Sequence, residues 1–110
     1  MQQIAYQRSE LTAYLHFGLQ TFDGTEYGDA SDAPSLFNPA DLNAAQWVNT
    51  LKAAGFRQAT LFAKHSTGFC LWPSAYTDYS VKNSPWKNGQ GDVVREFTDA
   101  MHAAGMRVAL

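Results

Sequence analysis

The side chains able to do chemistry in this sequence gather in two stretches. The first begins with His16 in HFG and continues through QTFDGTEYGDASDAPSLFNP, with Glu26 in TEYG. The second is AKHSTGFCLWPSAYTDYSVKNSPW, where Lys64 and His65 precede Phe69, Trp72, Tyr76, Tyr79 and Trp86. An imidazole and polar hydroxyl side chains at the rim of a pocket hold hydroxyl groups, and an indole beside them offers a flat apolar surface. That combination suits a sugar, because a pyranose has one relatively apolar face and a rim of hydroxyls that need paired donors and acceptors. Each residue also has a plainer reading. His16 serves equally as rim packing, Glu26 as a solvated carboxylate in a Gly- and Asp-rich loop, and most of the rings as the small core of a long loop.

Other chemistries find less in the sequence. His16, His65 and Cys70 have no metal-ligand spacing of a known type, and His102 stands among alanines, where a histidine is usually a boundary residue. Cys70, the sole cysteine, has no base signature beyond His65, five residues away. A buried free thiol is the commoner state. Gly89 and Gly91 precede a helix in NGQGD, but Asp92 takes the capping place that a phosphate would need. No pair of carboxylates offers itself as acid and nucleophile. No metal, cofactor or cysteine nucleophile is therefore expected.

The elements that must position these residues follow from hydrophobic spacing. NAAQWVNTLKAAG, residues 43–55, opens with Asn43 as cap, Gln46 completing a capping box, and Leu42 and Trp47 placed as a hydrophobic staple. Ala44, Trp47, Val48 and Leu51 mark its apolar face. DVVREFTDAMHAAG, residues 92–105, is capped by Asp92 and carries a stripe of Val93, Val94, Phe97, Met101 and Ala104. Gly55 and Gly105 end the two helices. Strands are expected at 13–18, 58–63 and 106–110, and a short amphipathic helix within 2–11. Strands alternating with helices imply parallel pairing. The links are unequal: each helix-to-strand link takes one to three residues, whereas the strand-to-helix links run from 18 to 42 and from 64 to 91. Such long loops at the carboxyl ends of parallel strands mark the working face of an α/β protein. FNP, closing the first, reads as an Asx turn.

Composition sets bounds on partners. The chain has 110 residues, of which 14% are aromatic and 16% charged, the latter well under the roughly one quarter usual in a domain. A net charge of −2 argues against nucleic acid, which needs a basic stripe. Residues 1–50 hold one basic residue and six acids (−5), and residues 51–110 hold seven basic residues and four acids (+3). No run approaches the length of a membrane span, so no membrane insertion is expected. MQQIAYQRSE carries no signal peptide, which points to the cytoplasm if this start is authentic and otherwise to a periplasmic, secreted or lysosomal protein.

HFG with a following TF, then TEYG, LFNP, QW, KAAGF, AKH with GFCLWPSAYTDYSVKNSPW, GDVVREF and AAGM closely resemble the amino-terminal part of the alpha-L-fucosidase family of retaining glycoside hydrolases. The likeness runs from about residue 6 to residue 110. It implies an α/β fold, the N-terminal part of a (β/α)8 TIM-like barrel with about three of its eight strands, in a domain commonly followed by a β-sandwich. An eight-stranded barrel takes about 250 residues, so residues 1–110 are expected to be a truncated portion of the catalytic domain. The implied reaction removes terminal alpha-L-fucose from glycans or glycoconjugates through a covalent glycosyl-enzyme. The implied partners are fucosylated glycans or oligosaccharides. The family's nucleophile, an aspartate at the end of the fourth strand, and its later acid/base would both lie beyond Leu110. Carried over by motif, the substrate-binding positions are His16 of HFG, Glu26 of TEYG, His65 of AKH, Ser66 in the place of the family's second histidine, and Trp72 of LW. Two departures stand out: Ser66 and Thr67 replace the family's usual His-Asp after His65, and Tyr27 replaces its usual Trp. A serine at position 66 is too short for the second histidine's contact, which it loses or hands to a water. A non-catalytic glycan-binding homologue or an inactive fragment is the alternative.

Overall fold

The computed structural model describes residues 1–8 and 11–110. Helix α1, Gln2–Gln7, is the short helix expected within 2–11, and Ser9 and Glu10 of that stretch lie outside the described residues. Strand β1, Thr12–Leu15, is followed by a single helical turn, α2, Gln20–Asp23. Helix α3, Ala44–Ala53, leads to β2, Gln58–Leu61; helix α4, Val93–Ala103, leads to β3, Arg107–Ala109. The three strands form one parallel sheet in the order β1-β2-β3.

The helix ends follow local chemistry. Asn43 Oδ1 accepts from Gln46 N at 3.0 Å, and Asp92 Oδ1 accepts from Arg95 N at 2.9 Å, each satisfying a donor that has no partner within its helix. The reciprocal half of the capping box at Asn43 does not form, because the Gln46 amide turns along the helix to Thr50 Oγ1 at 3.4 Å. Gly55 and Gly105 terminate the helices at φ of +96° and +69°, a conformation that costs glycine little.

Parallel register assigns the two faces of the sheet. Ala13 pairs with Ala59, and Ala59 with Val108, while Leu15 pairs with Leu61. These side chains meet Val48 of α3 and Val93, Phe97 and Met101 of α4 in one apolar cluster. Burying a side chain such as Phe97 contributes about 1.5–3 kcal/mol, so this layer supplies much of the stability. The opposite face carries Tyr14, which is 58% exposed, beside Thr60. Helices cover one side only. Three parallel strands backed by helices on one face, with the other bare, are the N-terminal portion of a (β/α)8 TIM-like barrel.

All three strands are shorter than hydropathy predicts, and two of them matter for the site. Strand β1 ends at Leu15, so His16 lies just past its carboxyl end rather than within it. Strand β2 ends at Leu61; thereafter Leu71 N donates to the Ala63 carbonyl at 2.9 Å and Lys64 bridges to Cys70, so the long loop folds back on its own stem. The Asx turn expected at FNP is closed instead by main-chain carbonyls. Asn38 O accepts from Ala40 N and Pro39 O from Leu42 N, with Pro39 fixing the local direction.

The two long loops share a core of rings. Phe37, fully buried, meets Phe17, Phe22, Phe69 and Trp86 with ring centroids 5.2–5.8 Å apart. Trp86 and Phe69 are buried there, and Tyr79 packs edge-on against Phe69 at 5.4 Å. Tyr76 is fully exposed. The rings of the second stretch are therefore mostly structural, and their hub comes from the first.

Candidate functional site

The register that pairs Leu15 with Leu61 sets the next residues, His16 and Phe62, level with each other at the carboxyl ends of β1 and β2. Their rings stack, 4.1 Å between centroids and 27° between planes. Phe62 also meets the His65 ring edge-on at 5.9 Å, so a single phenyl ring orients both imidazoles. His16 Nδ1 and His65 Nε2 stand 3.1 Å apart. His65 Nδ1 is 3.0 Å from Ser66 Oγ, and the Ser66 hydroxyl donates to the Tyr27 carbonyl at 2.6 Å. An unbroken polar chain thus runs from the end of β1, across the end of β2, into the first long loop.

Glu26 and Tyr27 are held by a local turn. Asp23 Oδ1 accepts from Thr25 N at 2.6 Å and from Thr25 Oγ1 at 2.8 Å, and Thr25 Oγ1 accepts from Gly28 N at 2.8 Å. Aspartate and threonine two residues apart form such turns readily. The Glu26 carboxylate is exposed and has no hydrogen-bond partner among the described residues. Its neighbour Tyr27 closes the histidine chain, so Glu26 sits beside the pair in sequence and projects from the same loop.

Charge within the loop is arranged around its turns. The Thr25 hydroxyl and backbone N–H hold the Asp23 carboxyl below its ordinary value of 3.8, and those of Ser31 do the same for Asp29. Asp32 is pushed the other way, chiefly by the neighbouring Asp23 carboxyl, with burial adding to it. The Tyr79 hydroxyl donates to the Asp32 carbonyl at 3.0 Å. Together with Ser66 to Tyr27, this bond ties the second loop to the first. Burial raises the Tyr79 phenol, so it remains the donor.

Trp72 stands elsewhere. It is half-buried and lines a shallow cleft of about 310 Å³ with Asp92, Val94, Arg95, Thr98 and Asp99 at the start of α4. It makes no ring contact with either histidine. Structure therefore joins His16, His65 and Ser66, leaves Glu26 exposed on the loop that carries Tyr27, and places Trp72 in a cleft at the start of α4. Phe62 was missed by the sequence reading, although its place just before AKH on the open face was the available signal.

The competing chemistries lose ground on geometry. Cys70 is 2% exposed and burial pushes its thiol up, only partly offset by the charge of Lys64, so it is not a thiolate near neutral pH. Among the described residues no group of three or more His, Cys, Asp or Glu side chains could hold a metal ion. In NGQGD, a Cβ on Gly91 would lie 2.3 Å from the Trp86 ring and one on Gly89 2.3 Å from the Lys82 carbonyl. Those glycines serve close packing, not a phosphate. No helix among the described residues is long and apolar enough to cross a membrane. A cavity of about 660 Å³ lies at the amino ends of the strands, between α1 and the turns at Gly55 and Gly105, away from the histidines.

Polar residues gathered at the carboxyl ends of parallel strands mark the working face of an α/β barrel. The alpha-L-fucosidase family profile matches residues 2–110. Alpha-L-fucosidase 1 of Arabidopsis thaliana is 51% identical over 109 residues, covering 99% of this chain and 22% of that protein. Among solved structures, a glycoside hydrolase 29 family member from an unknown rumen bacterium superposes with a TM-score of 0.95 at 50% identity, over 97% of this chain and 19% of the other. A Ruminococcus gnavus GH29 fucosidase in complex with fucose gives a TM-score of 0.88 at 40% identity, over 96% of this chain and 22% of the other. The chain belongs to the alpha-L-fucosidase family. It spans about a fifth of the length of the relatives it matches.

Proposed function

We propose that this chain is the amino-terminal portion of the catalytic barrel of a retaining alpha-L-fucosidase. The whole protein hydrolyses terminal alpha-L-fucosyl linkages of glycans or glycoconjugates. This portion grips the sugar and holds neither the nucleophile nor the acid/base. The observation that carries the reading is the histidine pair bridged at 3.1 Å across the ends of β1 and β2, in a chain so similar to fucosidases. Support for fucose as the ligand comes from the relative in complex with fucose. His16 offers its free ring nitrogen to a sugar hydroxyl, His65 acts through His16, which it holds at 3.1 Å, and the Glu26 carboxylate accepts from a further hydroxyl. Trp72 forms an outer wall toward α4 rather than the bed of the sugar ring.

Hydrogen bonds to a bound sugar contribute about 0.5–1.5 kcal/mol each when neutral and more when charged. Replacing His65 releases His16, the ring that presents a free nitrogen to the sugar. In the full-length enzyme, His65→Ala is expected to lower kcat/KM on an aryl alpha-L-fucoside by about 10- to 100-fold. An unchanged kcat/KM would show that the pair does not touch the sugar. Saturable fucose binding by the full-length protein without any turnover would instead favour a non-catalytic glycan-binding homologue.

A further inference from the structure

We propose that Ser66 is a positioning residue that fixes the proton positions of both histidines. It leaves His16 with a bare Nε2 facing outward as a hydrogen-bond acceptor. The assignment follows from counting protons along the chain. A serine hydroxyl has one hydrogen, and at 2.6 Å it is committed to the Tyr27 carbonyl, which can only accept. Ser66 Oγ therefore presents only lone pairs to His65 Nδ1 at 3.0 Å, so the hydrogen in that contact belongs to His65. A neutral imidazole carries a single N–H. With its hydrogen on Nδ1, His65 has a bare Nε2, and the 3.1 Å contact with His16 requires the hydrogen of His16 Nδ1. His16 Nε2 is then bare as well, on an exposed ring with no other hydrogen-bond partner among the described residues.

Donation runs one way, from His16 to His65 to Ser66 to the main chain of the first loop. Each bond polarises the next in the same sense. Phe62 prevents the rings from flipping out of line by stacking on one and abutting the other. Ser66 is exposed, yet its proton and its nearest lone pair are both engaged. It does not reach the sugar itself. It sets which way the neighbouring histidines can bond.

A consequence for specificity rests on the fucosidase reading given above. A sugar hydroxyl at His16 must donate its hydrogen to Nε2, so an analogue with a methoxy group at that position has nothing to donate. The proton assignment itself stands apart from that reading, and one experiment separates the two. The full-length protein, labelled with 15N at histidine, is examined by long-range proton–nitrogen correlation, and L-fucose is titrated in parallel. Wild type is expected to show both His16 and His65 in the Nδ1–H form. Ser66→Ala is expected to convert His65, and with it His16, to a mixture of tautomers and to weaken L-fucose binding about 3- to 10-fold. Ser66→Thr is expected to restore the wild-type pattern. An Nε2–H form of His65 in wild type, or nitrogen shifts that Ser66→Ala leaves in place, would overturn the assignment even in an active fucosidase. The expected shifts in a protein that binds no fucose would uphold it and sink the fucose reading instead.

Discussion

At the scale of single residues, the site works through which atom donates and which accepts. His16 and His65 differ in what surrounds them: His65 is fastened at both nitrogens, whereas His16 is fastened at one and open at the other. Glu26 carries its charge free of local partners, and Cys70 is at the opposite extreme, enclosed and inert. The Cys70 thiol donates to the Gly68 carbonyl at 3.7 Å inside the loop that folds back on β2. Maleimide treatment of the folded full-length protein at neutral pH, followed by mass spectrometry, is therefore expected to leave the Cys70 peptide unlabelled. The same treatment in urea should label it fully. Rapid labelling in the folded state would restore the case for a reactive thiol.

At the scale of elements, the long loops behave as a second layer rather than as flexible links. The first presents Glu26 and Tyr27 on an Asx-type turn; the second returns to pair with its own stem. Rings from both enclose Phe37. The segment before α4 is fastened tightly: Trp86 is 3% exposed, Lys87 lies over its ring and pairs with Glu96 of α4, and Gly91 backs onto the indole. There is no room for a methyl group between Gly91 and Trp86. Gly91→Ala is expected to cost about 1–3 kcal/mol of stability in denaturant unfolding of the full-length protein, as overpacking of a closed core does. A midpoint equal to that of wild type would mean the ring shifts freely. The spans of α3 and α4 were legible within a residue or two because caps and apolar stripes are written locally, whereas the single turn α2 lay inside a stretch read as loop. The strand ends were not legible, because they depend on where a neighbouring chain stops pairing.

At the scale of the whole molecule, the sheet is covered on one side and open on the other, and the open side carries Tyr14 and leads up to Phe62 and His16. That is the geometry of a barrel wall seen from inside. The (β/α)8 architecture places catalytic residues at the ends of several different strands. With three strands, the chain holds, on the function proposed above, the sugar-binding side chains and not the pair of carboxylates that retaining hydrolysis requires. The isolated 110-residue chain is accordingly expected to show no turnover of an aryl alpha-L-fucoside. Hydrolysis above an empty-vector control would place a nucleophile within these residues and overturn that division of labour.

From sequence alone came the alternation of strands and helices, the asymmetry of loop lengths, the family, and the histidines as candidates. The family came from the resemblance carried by motifs such as GFCLWPSAYTDYSVKNSPW, and the rest from spacing and composition within a few turns of chain. Only the tertiary structure decided the partners. His16 meets His65 across 49 positions, and Ser66 meets the Tyr27 carbonyl across 39. Phe37, read as part of a turn, became the hub of the ring core. A single proton on a serine, committed to a distant carbonyl, sets the chemistry of two histidines. No local pattern encodes that choice, because hydrogen bonds between loops are selected by the packing that brings them together.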